Sequence, residues 1–123
     1  MKKFIVSIDQ GTTSSRVILF NLKGQIIYVS QTELNQYFPK DGWVEHNPEE
    51  IWKTTLKCLK DVINKSKKLG GKILTIGITN QRETTIIWNK KTGKSVYNAI
   101  VWQDRRTKNY CEKLKKKIRR RIS

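Results

Sequence analysis

The chain has 123 residues, enough for one modest domain, and its 37% apolar content lies below the usual share of about 45–50%, so its core is expected to be thin. No apolar run is long enough to span a bilayer, and the run after Lys2 and Lys3 is too short for a signal peptide. The net charge of +16 invites a nucleic-acid partner, but eight basic residues against one acid fall in residues 108–123 and the rest are scattered lysines, with no zinc-finger spacing or RNP-type aromatics, so nucleic acid is not the expected partner.

Phe4, Val6 and Ile8 alternate with Ile5 and Ser7 and predict a strand. Val17–Phe20, rich in β-branched residues, predicts a second, and Ile26–Ser30 a third after the turn signal Asn21–Gly24. Three strands joined by short turns imply an antiparallel meander. Asn35–His46 reads as irregular. A helix follows: Asn47 can N-cap it, Pro48 suits its first turn, and Glu49 and Glu50 suit its positive end. Ile51, Thr55, Leu56, Leu59, Val62 and Ile63 recur at helical spacing until Gly70 and Gly71 stop the pattern. Ile73–Ile78 is almost continuously apolar and predicts a buried strand. Thr84–Trp88 predicts another strand, Asn89–Gly93 a hairpin-like turn, and Tyr97–Trp102 its returning partner. A last helix is expected from near Asp104. The order predicts a mixed α/β domain with sheet edges left to cover.

Cys58 and Cys111 fit no CxxC spacing and read as free, buried thiols in a reducing compartment, which makes a cytoplasmic location the expectation. With His46 the only histidine, a histidine-based metal site is not expected.

The chemistry concentrates in "DQGTTSSR", Asp9–Arg16, between the first two strands. Gly11 lets backbone N–H groups approach an anion, Thr12, Thr13, Ser14 and Ser15 add hydroxyl donors, and Arg16 adds a charge suited to phosphate. Asp9 can hold Mg²⁺ directly or through water. Ser/Thr-rich turns are also common without any ligand. "TGKS" at Thr92–Ser95 imitates the end of a Walker motif, but Trp88 stands where the first glycine belongs, so Gly93 reads as a turn residue.

"DQGTTSSR", "GWVEHNPEEIW" at Gly42–Trp52, "GITNQRETT" at Gly77–Thr85 and "YNAIVWQDRRT" at Tyr97–Thr107 resemble, in order, segments of the FGGY carbohydrate kinases, and within them the glycerol-phosphorylating branch. The resemblance runs to about Leu114. It implies an actin-like, ribonuclease-H-type ATPase domain of α/β class, N-terminal part, with a mixed sheet beginning in an antiparallel meander. It implies ATP and Mg²⁺ as cofactors and glycerol as substrate, with phosphorylation to sn-glycerol 3-phosphate by the complete enzyme. By carry-over, Thr12, Thr13 and Ser14 meet nucleotide phosphates, Arg16 lies at the nucleotide site and Asp9 positions the metal. Thr12 also nears the product phosphate, Arg82 and Glu83 bond glycerol hydroxyls, and Trp102 packs on the carbon backbone. Arg82 offers only donors and ionised Glu83 only acceptors, which suits a small polyol. Without the resemblance, an Arg–Glu surface pair would be the simpler reading.

The family's catalytic base, adenine pocket and second domain are expected beyond residue 123, so no catalytic residue is assigned here and Asp104 is expected to be structural. Complete members are expected to be homo-oligomeric and to need no membrane. The chain divides into the phosphate loop 9–16, the polyol-contact segment 79–85 and a basic tail 115–123, all in one incomplete domain. Two functional classes stay open: part of a glycerol phosphotransferase, inactive alone, or a non-catalytic remnant or anion-binding module using its basic tail. The tail itself reads as a reading-frame accident: with assumed codons, a one-base shift turns Ile118–Ile122 into Leu-Glu-Glu-Glu-Tyr.

Overall fold

The computed structural model describes residues 1–122. Ser123, the end of the basic tail, lies outside the described residues. Strands β1 (Lys2–Gln10), β2 (Ser14–Asn21) and β3 (Ile26–Glu33) form the expected antiparallel meander. The short β4 (Glu45–His46) leads into helix α1 (Pro48–Lys68), and β5 (Gly71–Thr79) then returns parallel to β1. The sheet order is β3-β2-β1-β5, a mixed sheet with α1 across one face. Strand β6 (Ala99–Ile100) pairs antiparallel with β4, and helix α2 (Lys108–Ile122) closes the described chain.

Local chemistry explains α1. The Asn47 side chain accepts a hydrogen bond from the Glu49 N–H at 3.0 Å, Pro48 needs no such partner, and Glu49 and Glu50 face the positive helix end. Gly70, at φ +68°, takes the left-handed position that ends the helix, and its N–H bonds the Lys67 carbonyl. Asn47→Ala should cost about 1 kcal/mol, read as a lower melting temperature of the chain. No measurable change would show that the cap is replaced by water.

Helix α1 turns Cys58 and Val62 onto Phe4, Val6 and Ile8 of β1 and Val17 and Leu19 of β2, which together form the core. The strand period of two selects those β residues for one face. Gly71 is required where β5 begins: a Cβ there would lie 1.9 Å from a Phe4 ring carbon.

Several expectations need correction. The apolar run Ile73–Ile78 is a strand but is not buried, because β5 is the sheet edge and α1 sits mainly over β2 and β3. Ile78 is 74% exposed. Thr84–Trp88 forms no regular strand. It makes only the single pairings Thr85 with Ile100 and Trp88 with Ser95, although the Asn89–Gly93 turn between them is formed and Gly93 sits at φ +71°. The supposedly irregular Asn35–His46 contains β4, which finds its partner more than fifty residues away. Helix α2 starts at Lys108 rather than near Asp104, whose carboxylate is occupied by the Val44 and Arg106 N–H groups. Cys111 is exposed, on a helix with no buried residue, whereas Cys58 is buried as expected.

Candidate functional site

The β1–β2 hairpin loop is tight. The Gly11 N–H bonds the Ser14 carbonyl at 3.0 Å, and a Cβ on Gly11 would come within 3.1 Å of that oxygen. Strand alternation then sorts the hydroxyl run. Ser15 points into the core, where its Oγ lies 2.7 Å from Thr54 Oγ1 and donates to Gln10 Oε1 at 3.0 Å. Ser15 is therefore unavailable as a phosphate donor, against the expectation from composition. Ser14 and Arg16 take the opposite face: Ser14 Oγ accepts from Gln31 Nε2 at 2.9 Å, and Arg16 lies 3.7 Å from Asp9, both side chains about two-fifths exposed. That pair is solvent-screened and adds little stability. Thr13 is exposed, and its carbonyl accepts from the Leu34 N–H.

Because β5 runs parallel to β1 with Asp9 opposite Thr79, the two strands release their following loops side by side. Residues 9–12 and 80–83 thereby form two walls of one cleft of about 420 Å³, with Trp102 as a third. The crevice beyond the carboxyl ends of neighbouring parallel strands is where open α/β sheets gather ligands. A larger hollow of about 580 Å³ opens at the opposite sheet end around Phe4, Leu22, Ile27 and Leu69, with Lys2, Lys3, Lys23, Asn21 and Gln25 at its edge but no carboxylate among its lining residues.

Asp9, Thr12, Arg82, Glu83 and Trp102 are thus brought together, while Thr13, Ser14 and Arg16 do not line the cleft. Trp102 Nε1 donates to Thr12 Oγ1 at 2.9 Å, linking residues ninety positions apart. Glu83 has φ +59°, a left-handed conformation that favours glycine, so its carboxylate is presented at a cost in backbone strain. Among the described residues, no three His, Cys, Asp or Glu side chains group closely enough to hold a metal between them.

Trp102 is carried by a buried ionic clasp that the sequence did not disclose. Arg106 reaches both oxygens of Asp104 at 2.8–3.0 Å and Glu45 Oε2 at 2.8 Å. Asp104 also accepts the Val44 N–H at 2.7 Å, and Glu45 accepts from Tyr97 and Asn98 at 3.1 Å. The Trp43 ring covers the guanidinium at 3.7 Å. Hydrogen bonds from Arg106 hold the Asp104 pKa down at about 2, against the opposing effect of burial. Burial alone would raise the Glu45 pKa, but bonds from Arg106, Asn98 and Tyr97 outweigh it and hold it below its ordinary value. The expectation that Asp104 is structural agrees with this geometry. Glu45, Trp43, Gln36 and His46 were missed as supports of the site; the available hints were the family-like segment Gly42–Trp52, which holds three of them, and a charged Glu45 next to apolar Val44.

Residues 4–122 match the family described as FGGY family of carbohydrate kinases, N-terminal domain. The chain is 56% identical over 115 residues to the glycerol kinase of Dichelobacter nodosus and 57% identical over 114 residues to that of Oceanobacillus iheyensis, covering 94% and 93% of this chain. It spans 23% of the length of each of those relatives. Among solved structures it is similar to Plasmodium falciparum glycerol kinase with ADP, at a TM-score of 0.83 and 38% identity over 92% of this chain and 23% of that one. Gluconate kinase from Lactobacillus acidophilus, at a TM-score of 0.84 and 23% identity over 95% of this chain and 23% of that one, supports the fold alone. The α/β mixed sheet is accordingly the opening part of an actin-like ATPase fold. With its β1–β2 hairpin, its parallel β5 and the cleft between them all inside the matched region, the chain belongs to the FGGY family of carbohydrate kinases, as N-terminal domain sequence.

Proposed function

We propose that this chain contributes the phosphate loop and the polyol contacts of an ATP-dependent kinase that phosphorylates glycerol to sn-glycerol 3-phosphate. The observation that carries the reading is the Trp102–Thr12 hydrogen bond across a cleft that also holds Arg82 and Glu83. A polyol lying there would meet a donor, an acceptor and an indole face within reach of the phosphate loop. Arg82 and Glu83 would bond its hydroxyls, and Trp102 would cover its carbon backbone. Thr12 stands at the join between polyol and phosphate, and Thr13, Ser14 and Arg16 would serve the nucleotide from the outer face of the hairpin. Glycerol is favoured over larger sugars because the relatives at 56–57% identity are glycerol kinases.

The residues present fit the cofactors. Asp9 is a single, two-fifths-exposed carboxylate beside the loop, which suits Mg²⁺, an ion that keeps several waters and takes one or two carboxylates. When bound, Mg²⁺ and ATP supply the phosphoryl group and neutralise its charge. This chain's own part is to orient the polyol and hold the phosphates in place. No helix among the described residues is long and apolar enough to cross a membrane, and homo-oligomers of the complete kinase and a cytoplasmic location remain part of the proposal.

The test is a hybrid in which residues 1–114 continue into the remainder of the Dichelobacter nodosus glycerol kinase. With Mg-ATP it should use glycerol with a higher kcat/KM than xylulose or gluconate, while the 123 residues alone should give no turnover. A folded hybrid that preferred a sugar or sugar acid would overturn the substrate assignment.

A second reading, anion binding by α2, draws on one observation: Lys113, Lys116, Lys117, Arg120 and Arg121 surround a single surface hollow. Replacing Lys113, Lys116 and Lys117 by glutamine should weaken retention on a polyanion column if that reading holds. Unchanged retention would remove it.

A further inference from the structure

His46 is the chain's single histidine and is 1% exposed. It is not among the residues that line the cleft. Its Nε2 is 2.7 Å from Gln36 Oε1. The amide nitrogen of Gln36 donates to the Thr12 carbonyl at 3.1 Å and to the Leu34 carbonyl at 3.3 Å, so the Gln36 oxygen must be the acceptor and His46 Nε2 must carry the proton. That assignment leaves His46 Nδ1 as a bare acceptor, buried and without a hydrogen-bond partner. Gln81, in the cleft wall next to Arg82, has a buried side-chain nitrogen and oxygen that likewise lack one. Burial lowers the imidazole pKa, with Gln81 and then Glu50 opposing it.

We propose that His46 is a positioning residue of this cleft: giving a hydrogen bond to Gln36, it holds the Gln36 amide against the Thr12 peptide. The proposal deepens the reading of the cleft given above and rests on it. The donors run in one direction, from His46 through Gln36 to the Thr12 carbonyl. A trans peptide is planar, with its C=O and N–H pointing to opposite sides. Holding the Thr12 carbonyl against Gln36 therefore aims the Thr13 N–H away from Gln36, as a backbone donor for an anion on the outer side of the loop. The same relay fixes the Thr12 side of the cleft, where a bound hydroxyl must be placed in line for transfer.

The test uses the ¹⁵N-labelled 123-residue chain and reads the Thr13 amide and the four tryptophan indole N–H signals. Gln36→Leu and His46→Leu should each shift the Thr13 amide and the Trp102 indole by several linewidths and leave the indoles of the exposed Trp52 and Trp88 in place. His46→Gln keeps one donor and one acceptor and should return both signals close to their original positions. Should His46→Leu fail to fold, Gln36→Leu and His46→Gln decide. Unmoved Thr13 and Trp102 signals in Gln36→Leu, all four indoles moving together in it, or a His46→Gln shift as large as that of Gln36→Leu would each overturn the proposal. Glycerol is then titrated into the unsubstituted chain and into Gln36→Leu. The Trp102 response should weaken about 5–10-fold in the variant, the effect of one displaced hydrogen bond. An unsubstituted chain that shows no response to glycerol at all counts against the reading of the cleft, while the ligand-free signals still judge the relay.

Discussion

Arg106→Met should cost about 3–5 kcal/mol, because it leaves two buried carboxylates facing each other with no cation between them. The side chains of Glu45 and Asp104 are each only 3% exposed, and Arg106 is the charge they share. Methionine preserves most of the length of the side chain, so the loss is electrostatic more than steric. A domain of this size has about 5–15 kcal/mol in total, and the melting temperature should fall by roughly 10–20 °C. A drop of less than a few degrees would show that water replaces the guanidinium at little cost. Neutralising the partners as well, with Glu45→Gln and Asp104→Asn in the same chain, should recover part of the loss.

The clasp also fixes an acid limit. The Asp104 pKa is about 2 in the folded chain, against 3.8 ordinarily. A depressed folded value means the unfolded chain binds the proton first, so this contribution is complete above about pH 4 and disappears as the pH falls toward 2. Glu45, lowered as well, acts in the same direction. An acid-unfolding curve of Asp104→Asn should therefore be flatter between pH 4 and 2 than that of the unsubstituted chain. Superimposable curves would place the acid-sensitive group elsewhere.

Glu83→Gly should move stability and substrate use in opposite directions. The left-handed backbone at Glu83, φ +59°, costs about 1–2 kcal/mol for a residue with a Cβ, and glycine removes that cost. Glycine loses more entropy on folding, about 0.5–1 kcal/mol, so the chain should be unchanged or up to about 1 kcal/mol more stable. In the hybrid with a relative's remainder, the same substitution deletes the acceptor proposed for a polyol hydroxyl. The kcat/KM for glycerol should then fall about fivefold to more than a hundredfold, corresponding to about 1–3 kcal/mol for a group left unpaired. A less stable chain with intact glycerol use would reverse the assignment and make Glu83 a structural residue.

What could be read from residues follows the range of the forces involved. Helix α1 was legible end to end because Asn47, Pro48, Glu49 and Gly70 act on the backbone within one turn of themselves. The β1–β2–β3 meander was legible because its turns are short and its alternation regular. The β4–β6 pairing and the Glu45–Arg106 clasp were not, since nothing near Glu45 reveals a cation sixty-one positions away. The run Ile73–Ile78 misled because continuous apolarity implies cover on both faces, whereas α1 packs mainly on β2 and β3 and leaves most of β5 exposed. Within the β1–β2 hairpin, the period of two sorts the hydroxyl run: once Val17 and Leu19 face the core, Ser15 must follow them inward, while Ser14 and Arg16 must face out. The convergence of residues 9–12 with 80–83 needed the parallel register of β1 and β5, which depends on the crossover through α1.

A crystal structure of the hybrid with glycerol and ADP examines the cleft itself. The account predicts glycerol between Arg82, Glu83 and the Trp102 ring, one hydroxyl directed toward Thr12, and the ADP phosphates along the Thr12–Ser14 loop. Glycerol bound elsewhere, or phosphates held away from that loop, would contradict it.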